Sequence, residues 1–357
     1  ALVTSELYKV SLSGAIELFK TQAIYTGESY SPDGNYLLLT TIKKPYSYIV
    51  PLSRFPQTTT VYDNSGKEIK VVNEVPLTEI MPKGFSSVRK GKRNMSWRSD
   101  KPATLSYVIA LDEGDQANKV AFRDELFQWE APFTSEATSI TKIQQRFSGM
   151  IWGNETLAIV YDDWYDTRNT KTYLINPSNP SQAPKIIFDR NSQDIYSDPG
   201  NFETKKNQFN REVLAIENGN TYLIGDGNTK DGQFPFIDEF NLETLKSKRL
   251  YTSKMKDKKE DLLGIEDFKK GEVLVMIQSK NDYPNYYFRN IKSKDKLRQI
   301  TFFANPFESI KDVYKEVIKY KRKDGVDLTG TLYLPVGYDL VKKEKLPLLI
   351  WAYPAEF

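Results

Sequence analysis

Short apolar runs bounded by turn residues recur along the whole chain. They are four to six residues long and lie between Gly, Pro, Asn or Asp residues, for example at 37–42, 156–161, 172–175 and 272–277. Helical periodicity is nearly absent. This pattern is typical of strands buried in a β-sandwich or a β-propeller.

One unit, a polar tight turn followed by a strongly apolar strand, occurs five times. The turns lie at 30–35, 97–102, 151–155, 216–220 and 268–272. Proline presets φ at the first turn position, and Gly or Asn tolerates the positive φ that follows. A third and a fourth strand follow each hairpin, as at 59–63 and 68–73, or at 286–291 and 297–302. Because four antiparallel strands form a propeller blade, the repeat predicts five full blades.

The spacing of the repeat suggests that a seven-bladed ring would need more residues than this chain has. One unit takes about 60 residues, compared with about 40–45 in compact propeller repeats, so long loops are expected at 76–94 and 190–211. The segment 7–19 reads as the outer strand pair of an earlier blade. Seven such blades would need about 420 residues. The sequence therefore predicts either a smaller closed ring or part of a larger one.

The pattern changes after residue 305. Segments 314–321 and 326–334 alternate around a Lys-Asp-Gly turn, which predicts a β-hairpin. The run LPLLIWAY at 346–353 has no polar face, which suits a strand covered on both sides in an α/β sheet. We therefore expect a propeller domain over 1–305 and the opening strands of a second domain over 306–357.

Composition narrows the chemistry that these 357 residues can perform. There is no His and no Cys, which excludes a Ser-His-Asp triad, a thiol nucleophile and an imidazole or thiolate metal site within the chain. We expect no cofactor and no metal. The 50 basic and 47 acidic residues leave a formal charge of +3, which argues against nucleic acid as a partner. Apolar runs are too short for membrane insertion.

Several long segments resemble a known family. They lie at 43–56, 86–105, 161–168, 188–200 and 320–339. With the propeller pattern and the run LPLLIWAY, they resemble the prolyl oligopeptidase family of serine peptidases, most closely its glutamyl endopeptidase branch.

The resemblance implies a β-propeller that covers an α/β-hydrolase catalytic domain. It also implies more propeller before 7–19, within a ring of seven or eight blades, and a Gly-x-Ser-x-Gly elbow, Asp and His after the last strand. The chain contains neither a Gly-x-Ser-x-Gly motif nor a His, so we expect a peptidase fragment that is inactive alone. Its expected partners are peptide substrates and the missing catalytic domain.

Candidate site residues follow partly from this resemblance. Tyr353 stands where the family supplies a tyrosine hydroxyl to the oxyanion hole. A basic cluster could attract an acidic peptide side chain, as cleavage after Glu would require, because Arg binds carboxylates bidentately. The same cluster could be an ordinary solvated surface. Its members are Arg54, Arg89, Arg93 and Arg168, with Lys90 and Lys92.

Two other interpretations stay open at this stage. Asp162, Asp163 and Trp164 suggest a propeller glycosidase with paired carboxylates, but adjacent strand residues point to opposite faces, so a structural role is expected. The chain could also be a self-contained five-bladed propeller that acts as a binding module or scaffold without catalysis. The compartment is not determined, although a bacterial periplasmic or exported location is favoured over the cytoplasm.

Overall fold

The computed structural model describes residues 3–293 and 296–352, which fold almost entirely into antiparallel β-sheet. Strands that follow each other in the chain are mostly neighbours in a sheet, so each sheet is mainly a meander. The first sheet contains β1 (Ser5–Val10), β2 (Ile16–Tyr30), β3 (Tyr36–Ile42), β4 (Gln57–Asp63) and β5 (Glu68–Val75). The second contains β6 (Arg93–Trp97), β7 (Thr104–Ala110), β8 (Asp124–Glu130) and β9 (Thr138–Ile143). The third contains β10 (Arg146–Asn154), β11 (Leu157–Trp164), β12 (Asn169–Ile175) and β13 (Lys185–Asn191).

Later sheets follow the same plan with small insertions. The fourth sheet is formed by β14 (Asn201–Phe202), β17 (Asn220–Gly225), β20 (Phe236–Asn241) and β21 (Ser247–Thr252). Two small hairpins are inserted in it: β15 (Thr204–Lys206) with β16 (Glu212–Leu214), and β18 (Asn228–Thr229) with β19 (Gly232–Gln233). The fifth sheet contains β22 (Lys259–Asp267), β23 (Glu272–Gln278), β24 (Asn285–Asn290) and β25 (Lys296–Gln299). A separate hairpin, β26 (Tyr314–Lys321) with β27 (Asp327–Leu334), follows.

The chain divides into two compact units. One comprises Ala1–Ser197, Phe202–Tyr222 and Phe240–Ser247, and the other comprises Asp198–Asn201, Leu223–Glu239 and Lys248–Phe357. The boundary expected at 305 falls inside the second unit and stays a prediction. No helix among the described residues is long and apolar enough to cross a membrane.

The cores of the first unit lie between neighbouring sheets. Leu38, Val61 and Val72 of the first sheet pack with Leu105 and Trp129 of the second. A further cluster joins the second and third sheets through Val108, Leu126, Ile140, Ile143, Trp152, Ala158, Val160, Tyr173 and Ile175. Successive antiparallel sheets packed in this way fit the predicted propeller. The β-rich architecture is thus confirmed, whereas ring closure and the number of blades stay predictions.

The hairpin predicted after residue 305 is present as β26 and β27, but the expected α/β strand is not. Residues 345–352 form no strand, and Leu348, Leu349 and Trp351 are largely exposed. An apolar run becomes a strand only when a neighbour satisfies its backbone hydrogen bonds, and no described segment pairs with it. The predicted loop at 190–211 also differs, since it contains β14 and β15.

Candidate functional site

A basic cleft of about 330 Å³ lies at one end of the first two sheets. The antiparallel meander explains its position, because β3 and β5 end where β4 and β6 begin. The segments 43–56 and 76–92 therefore leave the sheets at the same end, and the Thr78 N–H donates to the Arg54 carbonyl oxygen at 3.0 Å. The cleft is lined by Ser53, Arg54, Thr78, Met81, Val88, Arg89, Arg93 and Asn94.

Arg54 and Arg89 are the half-buried cations of this cleft. Arg89 donates to the carbonyl oxygens of Lys90, at 3.1 Å, and Lys92. Within the described residues neither guanidinium has a carboxylate oxygen within 4.0 Å. Burial, together with the charge of Arg93, lowers the pKa of the Arg89 guanidinium from its ordinary value. A carboxylate bound beside Arg89 would oppose this lowering of the pKa, because it supplies an opposite charge.

Arg93 has a different role because its charge is already paired. It is buried, and its Nη2 lies 2.6 Å from Oδ1 of Asp124. The same carboxylate oxygen accepts from Nη1 of Arg146 at 3.0 Å. Arg93 thus forms the wall of the cleft and belongs to an internal ion-pair network.

This network, which sequence reasoning missed, fixes the loop that carries Arg89. Arg146 also pairs with Asp112 at 2.5 Å and donates from Nε to the Ser86 carbonyl oxygen at 2.7 Å. Arg123 adds a contact of 2.8 Å to Asp112. Burial alone would raise the pKa of Asp112, but the hydrogen bonds from Arg146 and Arg123 outweigh it and lower that pKa. In the sequence, residues 112–146 contain only dispersed charged residues, and their spacing does not indicate which of them pair.

The other predicted basic residues do not line the cleft. Arg168 lies 3.6 Å from the ring centroid of Tyr165, and that ring stacks on Phe85 at 4.2 Å. Lys90 pairs with an exposed glutamate, and Lys92 donates to the Val72 carbonyl oxygen at 2.8 Å. The structure therefore brings Arg54, Arg89 and Arg93 together and places Arg168 elsewhere. Tyr353 lies outside the described residues, so its role stays a prediction.

Asp162 and Asp163 point to opposite faces of β11, as predicted. Asp162 is fully buried and accepts from the Tyr173 hydroxyl at 2.7 Å and from the Gln145 N–H at 2.9 Å. Asp163 is exposed, so the two carboxylates cannot flank one glycosidic bond. Among the described residues no group of three or more acidic, His or Cys side chains could hold a metal.

Asp162 makes stability depend on pH. Burial raises its pKa to about 6, although hydrogen bonds from Tyr173 and Gln145 oppose the rise. A carboxylate whose pKa is higher in the folded state costs stability when it ionises, so the free energy of unfolding should increase as pH falls from 7.5 to 5. We expect Asp162→Asn to remove this increase, measured by urea unfolding at both pH values. Asp231→Asn, at an exposed site, is the control, and equal pH dependence in all three proteins would contradict the assignment.

Known proteins are similar in sequence to this chain along almost its whole length. No family model matches. The chain is 40% identical over 372 residues to a chloroplast glutamyl endopeptidase of Oryza sativa, covering 99% of this chain and 39% of the relative. An Arabidopsis thaliana protein of the same name is 38% identical over 373 residues, covering 99% of this chain and 38% of the relative.

The chain thus spans about two fifths of the length of these relatives. Among solved structures, one assigned as a dipeptidyl aminopeptidase IV of Bacteroides ovatus aligns with a TM-score of 0.50 at 12% identity, covering 94% of this chain and 52% of that one. The similarity to this solved structure shows a common fold and nothing more. The identities of 40% and 38% to the two glutamyl endopeptidases show common ancestry. The resemblance seen in the sequence is thus confirmed: over almost its whole length the chain is related to glutamyl endopeptidases, of the prolyl oligopeptidase family.

Proposed function

We propose that this chain is the substrate-gating propeller part of a serine peptidase that cuts peptides after Glu. The observation that carries the proposal is the 40% identity to a glutamyl endopeptidase along nearly the whole chain. Because the chain has no His, the catalytic base must come from a domain outside it. That domain would transfer the acyl group to its Ser, with Tyr353 as one donor to the oxyanion.

The basic cleft is the part of the chain suited to recognising glutamate. Arg54 and Arg89 line one cleft of about 330 Å³ and lack carboxylate partners among the described residues. A guanidinium binds a carboxylate through two parallel hydrogen bonds, which an amide such as Gln cannot reproduce with the same charge complementarity. In this proposal the cleft receives the glutamyl side chain while Arg93, already paired with Asp124, holds the wall in place.

Replacing the two cleft arginines tests this assignment. We expect Arg54→Gln and Arg89→Gln, each made in the full-length protein, to lower kcat/KM for a Glu-containing peptide about 10- to 100-fold, the size of one lost charge-assisted hydrogen bond. Cleavage of the matched Gln peptide should change little. The control is Arg298→Gln, since the Arg298 side chain is 65% exposed at the edge of the fifth sheet.

The outcomes of this experiment separate the alternatives. Equal losses for the Glu and Gln peptides would assign the cleft a structural role and would refute glutamate recognition there. A full-length protein that cleaves neither peptide and resists serine-directed phosphonates would instead favour the non-catalytic binding module or scaffold.

A further inference from the structure

A second cleft, of about 460 Å³, lies between the second and third sheets, within the first compact unit. Its floor is the apolar core that joins these two sheets, where Val108, Leu126 and Trp152 are buried. Phe147 and Met150 of β10 are only partly buried and border the same space. The core of this junction is therefore open to solvent between β6 and β10, and we refer to this opening as the apolar cleft.

Small side chains keep the apolar cleft open. Ser96 of β6 lies opposite Ser106 of β7, and Ser148 and Gly149 stand on β10 across the cleft. The junction between the first and second sheets is filled instead by the ring of Phe133, which lies among three other aromatic rings. The junction between the second and third sheets thus has room for a side chain that the chain itself does not supply.

The lining of the apolar cleft favours an apolar ligand. Among the described residues no charged side chain lines it, and its polar groups are serine hydroxyls and the amide of Asn94. A large apolar side chain would lose contact with water and gain contact with the apolar floor. A charged side chain would lose its hydration without meeting a counter-charge. The volume is within the range of about 300–1,000 Å³ that is typical of ligand pockets.

The apolar cleft adjoins the basic cleft along β6. Asn94 lines both clefts, and it stands between Arg93, which lines the basic cleft, and Ser96, which lines the apolar one. A β-bulge lies between Arg93 and Ser96, and Asn94 has a φ of 52°, which Asn tolerates better than most residues. Three residues of extended chain span about 10 Å. A peptide whose glutamate lies in the basic cleft therefore reaches the apolar cleft with a side chain two or three residues away.

We propose that the apolar cleft binds a large apolar side chain of the peptide substrate, two or three residues from the glutamate. The inference rests on the proposed function, in which the basic cleft receives that glutamate. The substrates are then peptides in which one Glu has a Leu, Phe or similar residue close to it. Ser96 and Ser148 determine this specificity because their small side chains leave the cleft open.

A matched series of peptides tests the preference in the full-length protein. The reference peptide contains one Glu and otherwise Ala, and each other peptide carries a single Leu two or three residues before or after the Glu. We expect one Leu position to raise kcat/KM about 10-fold over the reference, because the Leu side chain leaves water on binding. Lys at that same position should give no increase, since the cleft offers it no counter-charge.

Filling the cleft tests where the preference arises. Ser96→Phe places a ring in the cleft from β6, and we expect the ratio of kcat/KM for the Leu and reference peptides to fall from about 10 to less than about 2. The matched control is Ser247→Phe, the same change at an exposed position on β21, which should leave the ratio unchanged. Ser148→Phe, on the opposite wall, is a second filling variant if Ser96→Phe does not fold.

Two results would overturn the inference and leave the proposed function intact. One is cleavage after Glu by the wild type with no preference for Leu at any of the four positions. The other is a preference for Leu that is unchanged in both filling variants, because the apolar side chain would then be bound elsewhere.

Binding measurements separate this inference from failure of the proposed function. If the wild type cleaves no peptide and takes up no serine-directed phosphonate, the proposed function is refuted. Fluorescence anisotropy of the labelled Leu peptides then tests the cleft by itself. Weaker binding to Ser96→Phe than to Ser247→Phe would retain the cleft as an apolar peptide site, whereas equal binding, or none to the wild type, would overturn it.

Discussion

Replacing Arg146 by methionine should lower the free energy of unfolding by about 3–5 kcal/mol. Arg146 is the centre of the buried network, because it contacts both Asp112 and Asp124 and is itself only 4% exposed. Its loss leaves two buried carboxylates with fewer counter-charges and leaves the Ser86 carbonyl oxygen without its donor. Methionine fills similar space, so the expected loss comes mainly from uncompensated charge.

Urea unfolding of the purified protein, followed by tryptophan fluorescence, would measure this loss. The control is Lys142→Met, which removes a 4.0 Å ion pair between partly exposed Lys142 and Glu125 and should cost at most about 1 kcal/mol. If Arg146→Met lowers the free energy of unfolding by less than 1 kcal/mol, the ion-pair network does not hold the loop that carries Arg89. We also expect Arg146→Met to speed proteolysis within 84–91, since Arg146 anchors that segment through Ser86.

Replacing Phe133 by alanine should cost about 3–5 kcal/mol, because a large buried ring leaves a cavity that the surroundings fill only partly. Phe133 is 1% exposed and lies among three other rings. Its centroid is 6.0 Å from that of Tyr36 in the first sheet, 6.2 Å from Trp97 and 5.8 Å from Trp129 in the second. Phe133 therefore holds the first and second sheets together. We expect these two sheets to separate when its ring is removed.

The same urea titration tests this prediction. Phe302→Ala is the control, because the Phe302 side chain is 79% exposed and its removal should change the free energy of unfolding by less than about 0.5 kcal/mol. Similar small effects for both variants would indicate that the junction between the first two sheets does not depend on aromatic packing.

Most strands could be predicted from the sequence because their signals are local. A polar turn followed by an apolar run was enough to predict β3, β11 and β23 to within one residue at the start and three at the end. The run at 345–352 shows the limit of that reasoning. Its side chains indicate burial, yet strand formation needs a hydrogen-bonding neighbour, and an apolar pattern does not specify one.

The candidate site was less predictable because it depends on contacts between distant residues. The affinity of guanidinium for carboxylate pointed to Arg54 and Arg89, which line one cleft, and their role in binding stays a prediction. The same chemistry could not distinguish Arg93, whose partner Asp124 lies 31 residues later and is buried with it. Arg168 was predicted to join the cluster because of its charge alone. In the structure its guanidinium contacts the Tyr165 ring instead, because both residues belong to one short turn.

Phosphonate labelling of the natural protein, read by intact mass and by hydrolysis of matched Glu and Gln peptides, tests whether this chain is part of a serine peptidase. We expect a polypeptide longer than these 357 residues that takes up one serine-directed phosphonate, cleaves after Glu and loses that activity when labelled. A natural product no longer than this chain, unlabelled and inactive toward the Glu peptide, would contradict it.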